Sequence, residues 1–294
     1  MYNLIQQVIF VPKFGNDNMS PEDSKRMSTI TQMINNIVTT RSLPFVMWHD
    51  RCINKTNLNT LFIVVGGDGS VLTALRETLN YPAAYVYGIN FGKLGFLTAY
   101  NGVGGFELLQ QEVESIFDRP QLWMVDERAS IQSVVTGSNK QMSAVNEFLI
   151  TTPTRRNPLQ YTIQVNGQHV ATQSGDGVIV ATATGSTAYA MSAGGAIMNS
   201  SSKSLQIVPL APHTLTSRPI IVDSTDRVTI MADLSQRAGV VEVVADGATV
   251  YDTNWESNNS NVFQLNIRQD SPVKILRPNG WNFFDTLATK FNWG

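Results

Sequence analysis

A change of grammar near residue 125 constrains this chain more than any other feature. Before it, short apolar runs alternate with helix-period segments. Val8–Val11, Leu61–Val65 and Ala84–Ile89 are nearly continuous apolar or aromatic runs, the pattern of strands buried on both faces. Phe45–Trp48 reads as a further strand. Ser20-Pro21-Glu22-Asp23 opens a helix, with a serine N-cap and proline at the first helical position, and Met27, Ile30, Ile34 and Ile37 follow at helical spacing. Val71, Leu72, Leu75 and Leu79 mark a second helix, and Phe106, Leu109, Val113 and Ile116 a third. This alternation predicts a Rossmann-like α/β domain, a parallel sheet with helices on its faces. From Ala129 to Leu276 the pattern is short β-rich runs divided by Gly, Asn, Asp and Pro, among them Tyr161–Val165, Val178–Ala181, Arg227–Met231, Val240–Val244 and Val262–Ile267. Asn166-Gly167 is a two-residue hairpin signal, because both positions of a type I′ turn need positive φ, and Asp246-Gly247 is a second. This half is predicted all-β, and Asn282–Trp293 has the apolar spacing of a closing helix or turn. The expected divisions are 1–125, 126–270 and a C-terminal segment, 271–294.

Composition narrows the function. At ~150 residues per domain, 294 residues allow two domains. Charged residues make up 15% against ~25% in an average globular protein, but 43% hydrophobic content argues against disorder. A net charge of −2 speaks against an extended nucleic-acid footprint. No apolar run approaches the ~18 residues of a membrane span, and the first residues have no signal-peptide pattern, so no membrane partner and a cytoplasmic location are expected. Cys52 stands alone, which leaves no intrachain disulfide, and the histidines at 49, 169 and 213 lack metal-ligand spacing, so no protein-bound metal is expected.

Four segments carry chemistry. Gly66-Gly67-Asp68-Gly69-Ser70 joins a strand to a helix; its glycines let backbone approach a ligand, and the helix start favours phosphate. It is neither a Walker A loop nor the Gly-x-Gly-x-x-Gly fingerprint. Asp68 is repulsive beside phosphate unless it accepts a proton from an attacking hydroxyl or helps hold a cation; the structural alternative is an N-cap in a glycine turn. Gly88-Ile89-Asn90 through Leu94-Gly95-Phe96-Leu97 forms the next strand-to-helix turn, completing a crevice at adjacent carboxyl ends, with Phe96 either stacking on a base or packing in the core. Asn146-Glu147 suits a ribose diol, although an ordinary turn pair is the alternative. Gly175-Asp176-Gly177 through Thr184-Gly185-Ser186-Thr187-Ala188-Tyr189 reads as a strand into a hydroxyl-rich turn, then a small-residue helix over Ala190–Ile197; Asp176 has the chemistry to accept from an exocyclic amine.

These blocks, together with Ser192-Ala193-Gly194-Gly195, Pro212-His213-Thr214-Leu215, Arg218-Pro219 and the ending Phe284–Trp293, resemble the NAD kinase family, in order and across almost the whole chain. The Gly-Gly-Asp-Gly block also occurs in lipid kinases and phosphofructokinases, which leaves a lipid or sugar kinase as one alternative and a nucleotide sensor without turnover as another. The resemblance implies transfer of a phosphoryl group from ATP, with Mg²⁺ or another divalent cation, to the 2′-hydroxyl of the adenosine ribose of NAD, giving NADP. It implies that Asp68 is the general base, that Gly67, Asp68 and Gly69 position the ATP phosphates, and that Asn146 and Glu147 hold the ribose. It further implies that Ser174, Asp176, Thr184, Thr187, Ala188, Tyr189 and Ser192 line the dinucleotide pocket, with Phe96 nearby. It implies a C-terminal stretch that returns to the first domain, a dinucleotide site mostly in the all-β domain, and a homodimer or homotetramer. Three positions depart from the family pattern. Ala183 replaces a usual proline, Ala248 a polar residue of some relatives, and Ser174 an arginine of many NAD-specific members, which implies acceptance of NADH as well.

Overall fold

The computed structural model describes residues 5–12, 20–48, 58–81, 83–90, 92, 94–100, 102, 105–138, 140–153, 157–234, 240–253 and 262–293. His49, Cys52 and Lys93 lie outside them. The chain divides into two compact units, residues 1–127 with 273–294, and residues 128–272.

The first unit begins with β1 (Gln7–Val11), α1 (Pro21–Thr39), β2 (Phe45–Met47), β3 (Thr60–Val65), α2 (Asp68–Thr78), β4 (Ala84–Ile89), α3 (Gly105–Asp118) and β5 (Trp123–Arg128). Strands β2, β1, β3 and β4 pair in parallel in that order. Their continuous apolar character has its reason in burial on both faces. Val8, Phe10, Leu61, Ile63 and Tyr87 join a cluster with Ile30 and Ile34 of α1 and Leu109 and Val113 of α3. Residues of opposite parity face α2: a Cβ on Gly88 would come within 2.7 Å of the Val71 side chain. Ser20 caps α1 as its sequence predicts, its Oγ accepting from the Asp23 N–H at 3.1 Å.

The second unit is all-β. One six-stranded sheet holds β6 (Ile131–Val135), β7 (Gln141–Ala144), β9 (Leu159–Val165), β10 (Gln168–Gly175), β14 (Val228–Asp233) and β17 (Val262–Gln269). The other holds β8 (Glu147–Thr151), β11 (Gly177–Thr182), β12 (Ser204–Leu210), β13 (Ile220–Asp223), β15 (Glu242–Ala245) and β16 (Ala248–Asp252). All the pairings in both sheets are antiparallel. The core lies where the sheets face each other: Ile131, Tyr161, Ile230 and Leu265 from one meet Phe148, Ile150, Val178 and Val180 from the other. Both predicted tight turns form, with φ of 52° and 79° at Asn166 and Gly167 and 48° and 82° at Asp246 and Gly247. The β8–β11 sheet is covered on its outer face too. Leu149, Ile179, Ala181 and Val208 there pack with Ala190, which explains why these strands lack polar alternation.

The expected helix over Ala190–Ile197 is corrected. Only a single turn, α4 (Tyr189–Ser192), forms before the chain reverses at Gly194, with φ 87°. The small residues serve close packing instead: a Cβ on Gly195 would lie 2.6 Å from Gln206 Oε1 and 2.8 Å from the Ala190 carbonyl.

The chain then returns to the first unit through β18 (Val273–Pro278) and α5 (Phe283–Phe291), and β18 inserts between β4 and β5. Asn282 caps α5 by accepting from the Phe284 N–H at 2.8 Å.

Candidate active site

In the first unit, β3 and β4 end side by side, with Val65 opposite Ile89. The glycine loop leaves β3 there, and its Gly66 N–H donates to the Ile89 carbonyl at 2.8 Å. Gly67 is the N-cap residue of α2 and Asp68 the first residue of the helix, so Asp68 is not the cap. Gly67 and Gly69 are exposed, and nothing lies within 4 Å of a Cβ built on either, which leaves this edge of the loop open to a ligand.

The Asp68 carboxylate is held from the side. Oδ2 accepts from the Phe96 N–H at 2.8 Å and Oδ1 from the Leu97 N–H at 2.9 Å. Gly95 makes this possible, because a Cβ there would overlap Oδ1 and lie 2.6 Å from Thr98 Oγ1. The carboxylate remains one-third exposed, at 33%. Phe96 is buried; its ring is 6.2 Å from the rings of both Phe283 and Phe291 of α5, so it packs inside the unit.

Two basic residues with no local sequence signal complete this arrangement. Arg277, fully buried on β18, donates to the carbonyls of Phe96 (2.6 Å) and Thr98, pairs with Asp126 at 3.3 Å and stacks 4.3 Å from the Trp281 ring. Lys290, in the last turn of α5, places Nζ 3.7 Å from Asp68 Oδ2 and 4.5 Å from the centre of the Phe96 ring. A lysine at a helix C-terminus reads as dipole compensation, and a buried arginine in a strand has no local pattern. Neither gives a short-range signal of the site.

In the second unit, Asn146 and Glu147 meet the hydroxyl-rich turn. Thr182 donates from N to the Asn146 carbonyl at 2.9 Å and from Oγ1 to the Val145 carbonyl at 2.7 Å. Gly185 packs so tightly on Asn146 that a Cβ would overlap the Asn146 carbonyl oxygen and sit 2.6 Å from its carbon. A third residue, Asp246, secures the pair from the β15–β16 turn. Its carboxylate accepts from the N–H groups of Val145 (2.9 Å), Asn146 (2.8 Å) and Glu147 (3.1 Å). The Asp-Gly pair signals only a turn; the partner lies about 100 residues away.

Glu147 is buried, 7% exposed, and its Oε2 has no hydrogen-bond partner among the described residues. Burial, reinforced by the neighbouring Asp246 charge, pushes its carboxyl up to about 8. It lines a cavity of about 340 Å³ on the outer face of the sheet, with Thr151, Tyr189, Glu242 and Gly247. Thr184 is buried and its Oγ1 has no hydrogen-bond partner among the described residues, Thr187, Ala188 and Tyr189 are half-buried, and Ser192 is exposed. Ser174 and Asp176 lie toward the other end of the sheet strands. Asp176 precedes β11 whereas Thr184 follows it, and six strand residues span ~20 Å. Asp176 stands beside Thr151, which lines the same cavity as Glu147 and Tyr189 and whose Oγ1 donates to the Asp176 carbonyl at 2.7 Å; the Ser174 carbonyl accepts from the His213 N–H at 2.8 Å.

A glycine-loop α/β unit with a carboxylate at its head, followed by an all-β unit with a recessed acidic cavity, is a two-domain kinase fold. It is shared by solved structures. Yeast NADH kinase complexed with NADH matches with a TM-score of 0.81 and 17% identity, over 99% of this chain and 89% of that one. An NAD kinase from Archaeoglobus fulgidus in complex with ATP matches with a TM-score of 0.70 and 20% identity, over 97% and 98%. Residues 145–262 match the family model of the ATP-NAD kinase C-terminal domain. The NAD kinase of Chromohalobacter salexigens is 34% identical over 236 residues, 79% of this chain and 76% of that protein. That of Shewanella sp. (strain W3-18-1) is 34% identical over 235 residues, 80% and 72%. The chain belongs to the NAD kinase family. Among the described residues no helix is long and apolar enough to cross a membrane.

Proposed function

We propose that this protein transfers the γ-phosphoryl group of ATP to the 2′-hydroxyl of the adenosine ribose of NAD, giving NADP and ADP. The observation that carries the reading is the Asp68 carboxylate, one-third exposed at the head of an open glycine loop and fixed by two backbone N–H groups. A carboxylate held this way keeps an oriented lone pair for the attacking hydroxyl, and phosphoryl transfer asks little of a protein beyond positioning, charge neutralisation and a base. The loop and its helix N-terminus suit the donor phosphates. Glu147, recessed in the cavity with an unpartnered oxygen, suits a ribose diol, and Asn146, Thr184, Thr187, Ala188, Tyr189 and Ser192 belong to the same end of the β8–β11 sheet.

A divalent cation fits as part of the nucleotide. No cluster of three His, Cys, Asp or Glu side chains suited to a metal occurs among the described residues, and Mg²⁺ carried by phosphates needs one or two carboxylates only. Asp68 is the carboxylate that would reach it; bound there, the cation would neutralise phosphate charge.

A homodimer or homotetramer, which the family resemblance implies, belongs to the same reading. The test of the function is NADP formation from NAD, ATP and Mg²⁺, read through a coupled NADP-specific dehydrogenase. Turnover is expected, and its absence with pure folded protein overturns the reading.

A further inference from the structure

A carboxylate next to a polyphosphate faces a difficulty that its amide partners do not remove. Asp68 carries a negative charge at the loop that the proposed reading gives to ATP, and two neutral N–H groups orient that charge without cancelling it. The cation that stands closest to it among the described residues is Lys290, 3.7 Å from Asp68 Oδ2. That distance is an ion pair and too long for a hydrogen bond.

The ammonium is held by its surroundings. It sits 4.5 Å over the face of Phe96, which is itself fixed between Phe283 and Phe291 of the helix that bears Lys290. A cation over an aromatic face gains electrostatic attraction while its donors stay available. The Lys290 ammonium makes no hydrogen bond among the described residues, and its side chain keeps 28% of its surface exposed beside a carboxylate that is itself one-third exposed. A charge committed only to closing α5 would need neither the ring nor the carboxylate.

We infer that Lys290 is a further residue of the phosphoryl-transfer centre, the cation beside Asp68 that offsets the charge of the polyphosphate donor. The inference rests on the kinase reading above. It brings the C-terminal helix into the chemistry and explains why the chain returns to the first unit after completing the second.

The test compares Lys290→Met and Lys290→Arg with the wild type in steady-state kinetics with MgATP and NAD, alongside thermal melting. Loss of a preorganised charge in such a centre costs ~100-fold or more in kcat. Lys290→Met is therefore expected to lose at least ~100-fold in kcat, to raise KM for ATP, to leave KM for NAD within about threefold, and to melt within a few degrees of the wild type. Lys290→Arg is expected to restore most of kcat. A Lys290→Met enzyme with kcat within about threefold of the wild type overturns the inference. So does a loss matched by an equal fall in melting temperature that arginine does not rescue, since that is helix closure alone. Absence of turnover in the wild type overturns the kinase reading instead. In that case binding of inorganic tripolyphosphate, measured by calorimetry, is the remaining readout: affinity equal in wild type and Lys290→Met overturns the inference, and weaker binding by the variant supports it.

Discussion

Arg277 and Asp68 hold opposite edges of one stretch of backbone. Asp68 accepts from the N–H groups of Phe96 and Leu97, while Arg277 donates to the carbonyls of Phe96 and Thr98. The segment between them has no regular secondary structure, so its geometry depends on these two side chains. Truncating Arg277 leaves the Asp126 carboxylate and both carbonyls buried without this partner. Removing one member of a buried ion pair costs ~3–5 kcal/mol. Arg277→Met is expected to lose stability on that scale in chemical denaturation, and whatever folds should show reduced kcat. A loss below ~1 kcal/mol would mean that the segment holds itself.

Asp68→Asn tests the base directly. The amide keeps the acceptor for Leu97 but turns an NH₂ toward the Phe96 N–H, or the reverse. Turnover is expected to fall ~100–10,000-fold, the usual contribution of a general base, with NAD binding retained by calorimetry. Near-normal turnover would remove Asp68 from the mechanism.

Gly95→Ala reaches the same carboxylate from the other side. The added methyl overlaps Asp68 Oδ1 and crowds Thr98 Oγ1, so the carboxylate must rotate away from both amides. Overpacking of this kind costs ~1–3 kcal/mol, and kcat is expected to fall with little change in KM for NAD. Unchanged kinetics would show that the carboxylate does not need this orientation.

Glu147 gives the protein a pH signature. Its carboxyl is ordinary when the chain is unfolded and raised to about 8 when folded, by burial first and by Asp246 second. Between pH ~4.5 and ~8 the folded state therefore binds the extra proton, and this group makes stability fall as pH rises, by up to ~1.4 kcal/mol per pH unit. Below that window the contribution vanishes, and above it the penalty is complete. Glu147→Gln should flatten the decline in melting temperature between pH 5 and 8.5. An identical decline in the variant would place the titration elsewhere.

Ser174 bears on the choice of acceptor. It lies on β10, half-buried, where the family resemblance leads one to expect arginine in NAD-specific members. The wild type is expected to use NADH as well as NAD, with a preference below ~100-fold, or ~2.7 kcal/mol, in kcat/KM. Ser174→Arg is expected to widen that preference towards NAD. A wild-type preference above that bound refutes the expectation.

The sequence alone determined most of what depends on neighbours a few residues apart. Buried parallel strands are continuous apolar runs, so Leu61–Val65 and Ala84–Ile89 were legible, as were the Ser20 cap and both positive-φ hairpin turns. The break in grammar separated α/β from all-β because the two architectures bury side chains with different periods. The glycine loop, Asn146-Glu147 and Thr184–Tyr189 were visible because their chemistry is packed into short blocks. The helix expected over Ala190–Ile197 failed because glycines that look like breaks in a helix are there to let backbone approach the Gln206 side chain, which no local pattern reports. Only the tertiary structure decided what surrounds the carboxylates. Arg277 and Lys290 reach Asp68 and its holding segment from 181 and about 220 residues away, and Asp246 reaches Asn146 from 100 residues away. Hydrogen bonds and charges act through space, whereas periodicity acts along the chain, so the first are written into the fold and the second into the sequence.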